Sequence, residues 1–162
     1  MLDYGRQAKE LGFTGIGITG GEPFILPYIV ETLEALTLLL PVTVLTNGTL
    51  FNKRRLKELE QLVDRDLRIQ ISLDSANPKK NDELRGETNF QKVIEAVPAL
   101  VKMGLHVRIA STLSSQSPEE ELKLRNLIYS LGIAPEDHIV RKIVSRGRAA
   151  LKNMGISAPL DK

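Results

Sequence analysis

The fold is constrained most by a repeated alternation between short apolar segments rich in β-branched residues and longer segments with a helical period. The predicted strands cover residues 15–19, 42–46, 67–73, 105–112 and 138–144. The predicted helices cover residues 28–40, 53–63, 90–103 and 118–131; another precedes the first strand, and a short one follows from Ala149. This alternation predicts right-handed βαβ units and therefore an α/β fold with a parallel sheet of about five strands.

Helix boundaries are marked by residues with a physical reason to stop or start a helix. Gly12, Gly104 and Gly132 each lie where a helical pattern gives way to a strand. Ser117 and Pro118, followed by three glutamates, form a strong helix start. The order of elements fits either a doubly wound sheet or part of a barrel, and periodicity does not distinguish the two.

One domain is expected, because 162 residues suit a single core and no linker or low-complexity segment interrupts them. We assign residues 1–150 to this domain and residues 151–162 to a C-terminal tail. The formal charge of +2 and the 4% aromatic content argue against a nucleic-acid binder. The longest apolar run is far too short to span a membrane, and the first residues are not a signal peptide, so a cytoplasmic protein is expected.

The chain contains no cysteine. This count excludes a disulfide scaffold, a thiolate nucleophile, a cysteine zinc site and a cysteine-bound iron–sulfur cluster held by these residues alone. With only two histidines, His106 and His138, a histidine-rich metal cage is excluded as well. His106 is expected to be structural and His138 to be exposed.

Polar and glycine-rich positions follow the ends of the predicted strands. In a parallel sheet these positions share the carboxyl edge, where ligands bind. The sequence therefore predicts one small-molecule site there, with no catalytic or metal-binding residue assigned. Its candidate residues are Gly20, Gly21, Glu22, Pro23, Thr46, Asn47, Ser72, Asp74 and Arg85, the last in a loop.

Each candidate has a plainer interpretation, which sequence alone leaves open. Residues 20–23 would offer backbone carbonyls and the Glu22 carboxylate to an ammonium group, or form a tight turn with Glu22 in solvent. Residues 46–48 would be a simple strand-exit turn. Ser72 and Asp74 would hold ribose hydroxyls, or Asp74 would cap the next turn. Arg85 would bind a ligand carboxylate or form a surface ion pair. The basic residues from Arg141 to Arg148 would form a solvated face.

Taken together, the motifs resemble the radical S-adenosylmethionine (radical SAM) enzymes, and the peptide- and cofactor-maturing branch in particular. The similar segments are GGEP at 20–23, TNGTL at 46–50, SLDS at 72–75, RG at 85–86, residues 90–112 and RGRA at 146–149. The resemblance covers about residues 3–150. It implies a partial (βα) barrel of the TIM type, running from the second to the sixth barrel strand.

The resemblance also implies roles for individual residues toward S-adenosylmethionine (SAM). Gly20, Gly21 and Glu22 would hold the SAM amino group, and Arg85 its carboxylate. Ser72 would lie near the ribose or the methionine part, with Asp74 close by. Thr46 and Asn47 would face the cofactor and substrate.

Relatives with the intact motif hold a [4Fe–4S] cluster on a CxxxCxxC loop, which this sequence lacks. In them an electron from the cluster cleaves SAM to a 5′-deoxyadenosyl radical. We therefore expect a fragment or degenerate copy that is inactive alone. Two alternatives stay open: a noncatalytic SAM- or nucleotide-binding module, and an interaction subunit of a split enzyme. A first strand at residues 15–19 would expose a sheet edge, which favours self-association or a completing chain.

Overall fold

The computed structural model describes residues 1–113 and 117–142. The end of the predicted fifth strand, the helix after Ala149 and the proposed tail lie outside these ranges. Within them, five parallel strands form one sheet in the order β1-β2-β3-β4-β5. The predicted α/β class, the parallel sheet and the alternating helices are confirmed.

The strands are β1 (Ile16–Ile18), β2 (Val42–Thr46), β3 (Leu67–Ser72), β4 (His106–Leu113) and β5 (His138–Lys142). The α-helices are α1 (Leu2–Glu10), α2 (Ile29–Thr37), α3 (Lys53–Leu59), α4 (Pro78–Arg85), α5 (Asn89–Lys102) and α6 (Pro118–Ser130). Short 3-10 helices cover Pro23–Ile25, Glu60–Leu62 and Pro135–Asp137. No helix in the described ranges is long and apolar enough to cross a membrane.

Sequence periodicity missed α4, and the placement of Arg85 in a loop is wrong, because Arg85 is the last residue of this helix. The segment reads PKKNDELR, and Asn81 is its one buried residue, so it shows no apolar stripe. Local signals specify the helix instead. The Asn77 side chain accepts a hydrogen bond from the Lys80 backbone N–H, and Pro78 occupies the first turn.

The helix ends follow the predicted signals. Gly12, Gly104 and Gly132 come just after helices with φ of 80°, 90° and 90°. At the start of α6, Ser117 and Glu120 form a reciprocal capping box.

The two faces of the sheet differ sharply. Sequential strand order with right-handed crossovers places the helices on one face. On that face Val44, Ile69 and Ile109 are fully buried in the core. The residues that alternate with them, including Thr43, Arg68 and Arg108, lie on the opposite face, which we call the helix-free face.

One edge of the described sheet is formed by β1, as predicted. The strand pairs with β2 alone, with Ile16 beside Val42 and Ile18 beside Val44. An apolar groove of about 290 Å³ lies next to it, lined partly by Tyr4 and Ala8 of α1.

Candidate functional site

The predicted site residues lie at the carboxyl ends of β1, β2 and β3, three neighbouring strands, or in the segments that follow them, with Arg85 at the end of α4. The structure joins Glu22 directly to Thr46 and Asn47, and joins Asp74 directly to Arg85. The clustering expected from strand ends is therefore present, and it is built from specific hydrogen bonds.

Glu22 connects the loop after β1 to the end of β2. Its Oε1 accepts hydrogen bonds from the Phe24 backbone N–H (3.1 Å) and the Thr46 hydroxyl (2.6 Å). Its Oε2 accepts one from the Asn47 backbone N–H at 2.7 Å. The alternative of a solvated Glu22 is wrong. A carboxylate has about four acceptor positions, so the Glu22 carboxylate keeps one acceptor position on Oε2 beyond its contacts in the described residues.

The glycines before Glu22 leave its surroundings open. Gly20 has φ of 154°, and a Cβ at either Gly20 or Gly21 would have no atom within 4 Å. Pro23, by contrast, is buried and begins the 3-10 helix that Glu22 caps. The loop therefore presents exposed backbone beside an anchored carboxylate.

The turn after β2 is fixed by its own side chains. Buried Thr46 donates to Glu22 and accepts from the Gly48 N–H at 3.1 Å. The Asn47 Oδ1 accepts from both the N–H and the hydroxyl of Thr49. Gly48 has φ of 79°, and a Cβ there would lie 2.8 Å from Ile71. The turn is thus specified by packing as well as by local hydrogen bonds.

Asp74 joins β3 to β4 and to α4. It is 3% exposed, and its Oδ1 accepts from the Thr112 backbone N–H at 2.7 Å. Its Oδ2 accepts from the Arg85 Nε at 2.6 Å. Arg85 is 29% exposed, so this ion pair is partly buried rather than a surface pair. The rest of the Arg85 guanidinium has no partner in the described ranges.

Two buried asparagines, missed by sequence reasoning, connect these loops. Asn81 and Asn89 are 0% and 1% exposed. The Asn89 Nδ2 donates to the Asn47 carbonyl and its Oδ1 accepts from the Asn81 Nδ2, both at 2.9 Å. The Asn81 Oδ1 accepts from the Asp74 N–H at 3.0 Å. The one sequence signal that marks Asn89 is its position directly before the predicted helix at residues 90–103.

These bonds form a continuous series, which we call the edge network. It runs from the loop after β1 to the end of β4, and every link is between 2.7 and 3.0 Å long. Its members in order are Glu22, Asn47, Asn89, Asn81, Asp74 and Thr112.

His138 begins β5 and is half-buried, so the expectation that it is exposed is wrong. The Ser111 hydroxyl donates to the Leu73 carbonyl at 2.6 Å and lies 2.9 Å from the His138 Nε2. Since the hydroxyl proton is used, Ser111 accepts here from an Nε2–H. Burial lowers the pKa of His138, and the charge of Arg125 lowers it further. His106 lies on the helix-free face, where its Nε2 is 2.8 Å from the Asp137 Oδ1.

Comparisons with known proteins agree with this architecture. The family model for the radical SAM superfamily matches residues 1–128. GTP 3′,8-cyclase of Aquifex aeolicus is 29% identical over 81% of this chain and 42% of its own length. The subtilosin biosynthesis protein AlbA of Bacillus subtilis is 33% identical over 71% of this chain and 26% of its own length.

Solved structures give the same result. Streptococcus suis SuiB bound to S-adenosylmethionine superposes with a TM-score of 0.73 and 26% identity, over 86% of this chain and 33% of that one. The chain therefore spans less than half the length of these relatives. The matched family model and the partial (βα) barrel together show that this chain belongs to the radical SAM superfamily.

Proposed function

We propose that the carboxyl edge of the sheet binds SAM, and that this chain forms the cofactor-binding part of a radical SAM enzyme domain. The observation that carries the proposal is Glu22. Its carboxylate is held by three hydrogen bonds yet keeps acceptor capacity beside the open backbone of Gly20 and Gly21. An anchored carboxylate with free capacity suits the SAM ammonium group.

The other edge residues fit the remaining parts of SAM. Ser72 is the last residue of β3, two strands from β1, and its hydroxyl has no hydrogen-bond partner in the described ranges, which suits a ribose or methionine contact. Arg85 is oriented through its Nε by Asp74, which leaves its other guanidinium nitrogens for a carboxylate. Thr46 and Asn47 act on the site by fixing Glu22.

The residues do not fit a cysteine-ligated [4Fe–4S] cluster, because the 162 residues contain no thiolate. The described ranges also contain no group of three or more His, Asp or Glu placed to hold a metal. We therefore propose that any cluster takes its thiolates from outside this sequence and that these residues alone carry out no radical chemistry. Reconstitution with iron and sulfide is expected to leave no stoichiometric cluster on the chain.

A second candidate, the interaction subunit of a split enzyme, is favoured by the β1 edge. The outer backbone groups of β1 lack a strand partner in the described sheet, and the adjoining groove of about 290 Å³ is apolar. Such an edge pairs readily with a strand of another chain. A noncatalytic SAM-binding module requires only the contacts at Glu22 and Ser72.

SAM binding is tested by an NMR titration of the ¹⁵N-labelled chain. Without an iron anchor we expect millimolar affinity, about 4 kcal/mol, with shifts confined to amides of residues 20–22, 46–47 and 72–74. Ser72→Ala is expected to weaken binding roughly threefold to tenfold, because it removes one hydrogen bond without disturbing a protein contact. Ser130→Ala, on the exposed end of α6, serves as the matched control.

A response at other residues, or none at several millimolar SAM, would contradict the proposed site. Micromolar affinity would favour the noncatalytic module instead.

A further inference from the structure

The helix-free face carries a concentration of positive charge. The five strands contain no acidic residue, and all three of their arginines lie on this face. Arg68 lies on β3, Arg108 on β4 and Arg141 on β5. The net charge of the chain is only +2, so three arginines on one sheet face are a local excess of positive charge.

Arg68 is the most unusual of the three. Its Nε is buried and donates no hydrogen bond in the described ranges. No carboxylate there forms an ion pair with Arg68. A buried donor without an acceptor is costly, typically about 1–3 kcal/mol, and each such group in a folded protein needs an explanation.

Arg108 is only weakly engaged. Its Nε lies 3.4 Å from the Asp137 Oδ1, and the same oxygen is 2.8 Å from the His106 Nε2. Asp137 is thus shared between two donors. Arg141 is exposed and has no ion pair in the described ranges. Within the described ranges, Asp137 is thus the one carboxylate that forms an ion pair with any of the three arginines.

The strand register brings Arg68 and Arg108 within reach of one ligand. Arg68 pairs with His106 and Gln70 with Arg108, so Arg68 and Arg108 are diagonal neighbours with Cα atoms about 8 Å apart. Arg141 lies across from Thr112, farther along the same face. Gly17 and Thr43, on the β1 side, are small and leave the face open.

We propose that the helix-free face binds an oxyanion, a carboxylate or phosphate group, of a small-molecule substrate. The inference rests on the proposed function, because a substrate held by Arg68 and Arg108 would extend from the amino-terminal half of β3 and β4 along this face toward the SAM edge. Guanidinium groups bind such oxyanions through two parallel hydrogen bonds. A bound oxyanion would pair with the guanidinium groups of Arg68 and Arg108 and balance the excess positive charge.

The test follows the arginine Nε–Hε signals by NMR in the full chain, with pyrophosphate as one probe and succinate as the other. We expect the Arg68 signal to shift on addition of at least one probe, and the stronger response identifies phosphate or carboxylate as the preferred group. Arg68→Met keeps the apolar stem and is expected to weaken binding tenfold or more. Arg54→Met, on the exposed side of α3, is the matched control.

If Arg68→Met does not fold, Arg108→Met gives the same test at a partly exposed position. An Arg68 signal unmoved by both probes, or equal losses in Arg68→Met and Arg54→Met, would overturn the inference. The SAM titration is read separately at residues 20–22. Shifts there without an oxyanion response leave the SAM site standing and remove only this inference.

Discussion

Replacing Asn89 by alanine should destabilise the protein far more than its position at the start of a helix suggests. The Asn89 side chain is 1% exposed and contributes two links to the edge network. Asn89→Ala leaves the Asn81 Nδ2 without its acceptor and the Asn47 carbonyl without its donor.

The expected loss of stability follows from the two polar groups that lose their hydrogen-bond partners. A buried polar group that loses its partner costs about 1–3 kcal/mol. Asn81 is 0% exposed, so its amide receives no help from bulk water. We expect Asn89→Ala to lower the free energy of unfolding by about 2–5 kcal/mol, a large share of the roughly 5–15 kcal/mol typical of a domain.

The assay is urea unfolding monitored by circular dichroism, with Gln91→Ala as the matched control. Gln91 lies on the same helix, and its hydrogen bond to Glu95 is exposed, so its loss should cost no more than about 0.5 kcal/mol. Hydrogen exchange should also show faster exchange at the Asn47 amide in Asn89→Ala. Equal midpoints for the two variants, with unchanged exchange at Asn47, would refute the structural role of the network.

Three further predictions follow from other parts of the molecule. Burial lowers the pKa of His138 below its ordinary value near 6.5, so the unfolded state binds the proton more readily than the folded state as the pH falls. The free energy of unfolding should therefore decrease between pH 7.5 and 5.5, by at most about 1.4 kcal/mol per pH unit. His138→Gln should flatten that slope, and an unchanged slope would mean that other titratable groups cause the pH dependence. Gly48→Ala should cost more than 1 kcal/mol in thermal unfolding, because φ is 79° and the new Cβ would meet Ile71 at 2.8 Å; a neutral result would mean that the turn relaxes. Self-association through the β1 edge should appear as concentration-dependent sedimentation, and Gly17→Lys should reduce it, whereas a monomer at all concentrations would exclude that edge as an interface.

Secondary structure was largely predictable because most elements carry their own local signals. The predicted strand at residues 42–46 coincides with β2, whose β-branched residues alternate between buried and partly buried positions. The helix α4 was missed because its stability depends on caps and on one buried amide rather than on an apolar face. Helix α3 ends early in a 3-10 turn, which periodicity does not distinguish from a continuing helix.

The grouping of the candidate site residues was predictable from their location, but their contacts were not. Strand ends in a parallel sheet indicate which residues share an edge, and this argument grouped Glu22, Thr46 and Asp74. It gave no information on partners, because the deciding hydrogen bonds join residues 24 to 42 positions apart. Asn81 and Asn89 escaped notice because buried asparagines cannot be distinguished by sequence from exposed ones.

The edge network explains how a partial barrel can hold the loops of the proposed SAM site in place. Loops at strand ends are ordinarily the mobile part of a fold, and ordering them on ligand binding would cost conformational entropy. Here one series of hydrogen bonds connects the loops after β1, β2 and β3 to β4 in the absence of a ligand. The carboxylates of Glu22 and Asp74 lie near the two ends of this series. The interior links are neutral amides, which can be buried with both donors and acceptors satisfied and with no charge to desolvate. Because both carboxylates are held from within the protein, the SAM molecule proposed to bind at Glu22 and Arg85 would meet groups already fixed in place, which lowers the entropic cost of orienting it.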